Sequence, residues 1–123
     1  ENPHAGNLLD TLLQHALHSR ATDLHLQSDE AGLLVRYRIN GSLKNAMTLP
    51  PEAGKNVISK LRAIAQVPNG GLPREGRMRV DLGSGEDLSV RVSSVPIVAG
   101  EKLDLHLCTL LLLKNPIQLC ISL

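Results

Sequence analysis

Aromatic side chains are almost missing from this chain: its 123 residues hold one Tyr and neither Phe nor Trp. That excludes a protein that grips single strands by stacking bases on aromatic platforms. Charge of one sign is not in excess either. Thirteen Lys and Arg against twelve Asp and Glu leave a formal net charge of +1. Such a balance argues against a dedicated binder of nucleic acid or anionic membrane, while still allowing a local basic patch. Cysteine is scarce, and Cys108 and Cys120 fit a reduced cytosolic protein better than a disulfide scaffold. The longest apolar run, residues 108–113, is far too short to span a bilayer. There is no G-x-x-x-x-G-K-[ST] phosphate loop, no paired-Cys metal motif and no H-E-x-x-H. Nothing marks any Ser, His or Asp as an activated nucleophile, so no activity is expected from this chain alone. It begins at Glu1 without a signal-peptide pattern, which suggests a piece of a longer protein.

What is present is alternation. Residues 72–82 and 88–93 each alternate apolar and polar side chains, the period-2 pattern of half-buried strands, with Gly83 to Asp87 as the turn. Met78, Val80, Leu82, Leu88, Val90 and Val92 would face a core. Arg77, Arg79, Asp81, Ser89, Arg91 and Ser93 would share the other face. Upstream, Asn7 is a plausible N-cap for a helix whose Leu8, Leu9, Leu12, Leu13, Ala16 and Leu17 recur at helical spacing. His15 and His18 lie three apart but lack a third metal ligand, and are expected on a solvated surface.

Strands are expected over 21–27, 33–39 and 42–47, the last two joined by Asn40-Gly41, a strong hairpin signal. Leu49-Pro50-Pro51-Glu52 opens a second helix. Its expected buried stripe is Val57, Ile58, Leu61, Ile64 and Ala65, with Lys55, Lys60 and Arg62 in water. A last strand covers 101–107. The expected fold is therefore α+β in the order α-β-β-β-α-β-β-β: an antiparallel sheet of about six strands with both helices on one face. The uncovered face would collect His25, Arg36, Arg38, Arg77, Arg79, Arg91, Lys102 and His106. That face reads either as a solvated surface or as one that meets a polyanion, since arginine forks suit phosphate oxygens. His25 follows Asp23 by two and could be an Asp-supported base, or an ordinary surface pair.

Four segments, in order, carry a family resemblance. RATDLHL at 20–26 looks like "SASDIHIE" of the secretion and type IV pilus assembly ATPases. GLLVRYRINGSL at 32–43 resembles "GLRVRYRIDGVL", LPREGR at 72–77 resembles "LPQDGR", and LSVRVSSVPIVAGEK at 88–102 resembles "VDLRVSTLPTVHGEK". The chain departs from the family at Asn69-Gly70-Gly71, where two arginines are common. It also departs at His106, which stands where an arginine would, and over 108–123.

The resemblance implies a domain at 1–107 that directly precedes a motor domain, with 108–123 as an apolar tail or linker toward that missing C-terminal ATPase domain. Such a domain folds over nucleotide held by the motor domain of its own chain in a homohexamer. On this likeness Arg77 and Arg91 are the phosphate contacts, with Arg74, Arg79 and Arg36 as further candidates and no metal ligand. ATP and Mg2+ would serve the full-length parent, with no cofactor in this piece. Implied partners are the motor domain, neighbouring subunits and the inner-membrane secretion or pilus platform, not nucleic acid. The implied setting is bacterial cytoplasm, peripheral at the inner membrane, in an assembly rather than a retraction motor. The contrasting reading is a stand-alone module that binds an anionic ligand or docks a protein, with no catalytic role.

Overall fold

The computed structural model describes residues 3–68, 74–81, 87–98, 100–110 and 120–122. Helix α1 spans Pro3–His18, and the strands β1 (Asp23–Asp29), β2 (Gly32–Ile39) and β3 (Ser42–Leu49) follow. Helix α2 spans Pro51–Ala65, ahead of β4 (Arg74–Asp81), β5 (Asp87–Ile97) and β6 (Gly100–Leu110). This is the expected α-β-β-β-α-β-β-β order, with a short added strand, β7 (Cys120–Ser122).

All pairs are antiparallel, and the strand order is β3-β2-β1-β6-β5-β4. Each αβββ half is a meander, and the halves join where β1 pairs with β6. β6 runs past residue 107 to Leu110, and its last residues pair with β7. Most of the apolar tail, 111–119, lies outside the described residues, as do the Asn69-Gly70-Gly71 departure and residues 83–86 of the turn expected over 83–87, whose last residue, Asp87, opens β5.

Alternation decides which face is buried. Leu24, Leu26, Val35, Tyr37, Val90, Val92, Leu103, Leu105 and Leu107 pack beneath the helices, joined by Leu9, Leu12, Leu13 and Ala16 of α1. Each fully buried Leu contributes about 2 kcal/mol, so this one core accounts for the fold. At the β2–β3 hairpin Asn40 and Gly41 both take positive φ, 54° and 82°, as a two-residue turn of matching twist requires.

Three local expectations are corrected. Asn7 lies inside α1, which starts at Pro3, and not at the helix start. In α2, Arg62 is buried and Ile64 is 45% exposed, the reverse of the expected stripe. Both residues sit at the margins of the face centred on Gly54, Val57, Ile58, Leu61 and Ala65. Arg62 turns inward because Glu101 pairs with it, while its guanidinium donates to the Pro68 carbonyl at 3.0 Å and the Ser94 hydroxyl at 3.3 Å. Finally, Cys108 is disulfide-bonded, not a thiol.

Candidate functional site

Antiparallel pairing across five strands lays one row of residues across the sheet, on the face without helices. Arg77 of β4 is the direct cross-strand partner of Arg91 on β5, and Arg91 is opposite His106 on β6. His106 is opposite Asp23 on β1, and Asp23 is opposite Arg38 on β2. The neighbouring row reads Glu75, Ser93, Asp104, His25 and Arg36. Every one of these residues is set by the same alternation that buries its neighbours.

Arg77 and Arg91 are exposed, and neither has an ion-pair partner among the described residues. Like charges directly opposite one another destabilise a sheet, so the fold carries this pair at a cost. An oxyanion between two guanidinium groups would reverse that cost. The other candidates are placed differently. Arg79 shares the face but reaches Asp87 at 3.8 Å. Arg36 is half-buried beside His25, and its Nε has no hydrogen-bond partner among the described residues. Arg74 pairs with Ser94 and alternates onto the helix side, away from Arg77.

The centre of the face holds two crossed His–Asp contacts. His106 Nδ1 lies 3.4 Å from Asp23 Oδ2, and His25 Nδ1 lies 3.3 Å from Asp104 Oδ1 without hydrogen-bond geometry. The Thr22 hydroxyl donates to Asp23 Oδ1 at 2.7 Å, and Lys102 Nζ stands 3.6 Å from Asp104. Burial pushes the His25 imidazole below its ordinary value, an effect opposed by Asp104 and reinforced by Lys102 and Arg38. Burial thus disfavours the charged form of His25, against the pull of Asp104. The ring sits among the charges of Asp104, Lys102 and Arg38.

Asp104 and Arg62 are the charged groups that sequence reasoning missed. Asp104 was legible, since it alternates with Leu103 and Leu105 onto the face of Lys102 and His106. Arg62 was not, because its partners come from distant strands. His15 does stay on the surface, where its Nδ1 meets the Tyr37 hydroxyl at 2.8 Å. Among the described residues no three His, Cys, Asp or Glu could hold a metal ion, and no helix is long and apolar enough to cross a membrane.

The family model for "Type II/IV secretion system protein" matches residues 2–118, nearly the whole chain. The chain belongs to that family. Its relatives include Type II secretion system protein E of Xanthomonas campestris pv. campestris, 34% identical over 102 residues. Another is the type IV pilus assembly ATPase PilB of Myxococcus xanthus, 31% identical over 102 residues. Each alignment covers 81% of this chain and 18% of the relative, so the chain spans about a fifth of these family members. The fold also resembles the Legionella pneumophila ATPase DotB, with a TM-score of 0.61 at 17% identity over 82% of this chain and 29% of that one. In this chain the GEK segment supplies the Glu101 that pairs with Arg62, and the LPREGR and LSVRV segments supply the paired arginines.

Proposed function

We propose that this chain is the N-terminal nucleotide-clamping domain of a hexameric secretion or type IV pilus assembly ATPase. It closes over ATP bound to an adjoining motor domain and transmits the resulting motion to the assembling fibre. The observation that carries this reading is the Arg77–Arg91 pair: two exposed guanidinium groups on adjacent strands, directly opposite, with no carboxylate partner among the described residues. Two such forks can share one phosphate chain. The family membership and the relative named as a type IV pilus assembly ATPase support this reading. On this reading the Mg2+ that accompanies ATP would be held by that motor domain. Neighbouring subunits and the inner-membrane platform are the partners this role requires, in the cytoplasm at the membrane surface. The domain alone, whose sequence has no G-x-x-x-x-G-K-[ST] loop, is expected to bind ATP weakly and not to hydrolyse it.

Arginines that neutralise charge in phosphoryl transfer can be worth on the order of 10³-fold in rate. In the full-length protein, Arg77→Ala or Arg91→Ala is expected to lower ATP hydrolysis at least about tenfold, a cautious fraction of that ceiling. Thermal stability of the domain should not fall, since the substitution relieves repulsion. Lys60→Ala, an exposed cation on α2, is the control. Equal losses in all three variants would mean a general charge effect and no clamp. Tight ATP binding by the isolated chain would instead favour the stand-alone anion-binding module.

A further inference from the structure

β1 and β6 exchange His–Asp contacts in both directions. Asp23 faces His106, and two residues further along His25 faces Asp104. The four side chains form a square at the centre of the sheet face. Arg36 and Arg38 flank it on β2, and Arg91 flanks it on β5. With both imidazoles neutral the square carries two negative charges in the middle of a cationic surface; with both protonated it carries none. Histidine is the side chain whose charge changes near neutral pH, whereas the surrounding arginines stay charged throughout.

We infer that this square makes the arginine face a proton-tuned oxyanion surface, one that takes phosphate-like groups more tightly as pH falls. The inference rests on the clamp reading for its natural ligand, but the tuning itself needs only an oxyanion. Among the described residues the carboxylates Asp104 and Asp23 favour a protonated His25, whereas its burial and the cations Lys102 and Arg38 oppose it and shift its proton uptake to lower pH. From β2, Arg36 and Arg38 lie beside His25; from β6, Asp104 and Lys102 do. Around His106 stand Asp23 of β1, Arg91 of β5 and Asp104 of its own strand. In each case a carboxylate stands ready to hold the imidazolium, so proton uptake cancels a local negative charge next to Arg91. A bound oxyanion in turn favours the protonated rings, because linkage between two ligands is reciprocal.

Inorganic sulfate is the probe, because its charge does not change over the pH range that matters. Binding to the 123-residue chain is followed by amide shift changes at pH 7.5 and 5.5. The affinity should rise at least about threefold on acidification, the yield of one unit charge added near a dianion at a screened surface. His25→Gln with His106→Gln should abolish that slope. His106→Gln alone, on a half-exposed ring, should flatten it in part even if the double variant does not fold. Arg91→Ala should weaken binding at both pH values and leave the slope in place. An unchanged slope in His106→Gln, or no slope in the wild type, overturns the inference. Failure of the clamp reading shows elsewhere, as undiminished hydrolysis in the arginine variants of the full-length protein.

Discussion

His25 places a titratable ring in a spot that resists its charge. Its folded value lies below the ordinary 6.5, mainly because burial penalises the imidazolium. The unfolded chain therefore takes up the proton first as pH falls. Without a bound anion, stability should be level above about pH 7 and decline as pH drops below 6.5 toward the folded value. Thermal melts from pH 8 to pH 5 check this, and His25→Gln should give a shallower decline. A midpoint that rises on acidification would show that Asp104 outweighs burial at this ring. A second residue-scale expectation concerns the pair beneath α2. Glu101→Gln leaves a buried guanidinium without its counter-charge and should cost about 2–4 kcal/mol in chemical denaturation. Replacing Arg62 and Glu101 together by Met and Gln should recover much of that loss.

At the scale of elements, the strands were readable because one face of each is buried and the other is not. Asn40-Gly41 announced its turn, and the Arg77–Arg91 row followed from alternation alone. The helices were less legible. Arg62 and Ile64 lie at opposite margins of the same stripe, so only the carboxylate of Glu101 and the hydroxyl of Ser94 decide between them. Asn7 looked like a cap because capping residues are also tolerated within helices. Arg74 shows the limit of reading a motif as a unit: it is three residues from Arg77, and a period of two puts them on opposite faces.

Element packing yields its own prediction at Gly76. A Cβ there would stand 2.3 Å from the Ala65 carbonyl oxygen and 2.6 Å from Val67, where β4 passes the end of α2. Because one neighbour is backbone, it cannot step aside cheaply. Gly76→Ala should cost about 3 kcal/mol or more, measured by urea unfolding. Gly41→Ala has open space around it and only its positive φ to lose, so about 1 kcal/mol is expected. Equal costs at the two positions would mean that α2 and β4 are free to move apart.

For the molecule as a whole, the two faces of one sheet divide the labour: one holds the protein together and the other gathers its charge. The row that runs from Arg77 to Arg38 draws a residue from each of five strands, and its central contact links positions 83 residues apart in sequence. No fragment of the chain can therefore assemble it. On a ribosome, the first meander can pair locally, but Asp23 has no His106 to meet until β6 has emerged. Contacts of such long range form late, after their loop-closure entropy has been met by the rest of the fold. The charged row is thus completed only when β1 and β6 meet, and a chain that displays all of it has already joined its two halves.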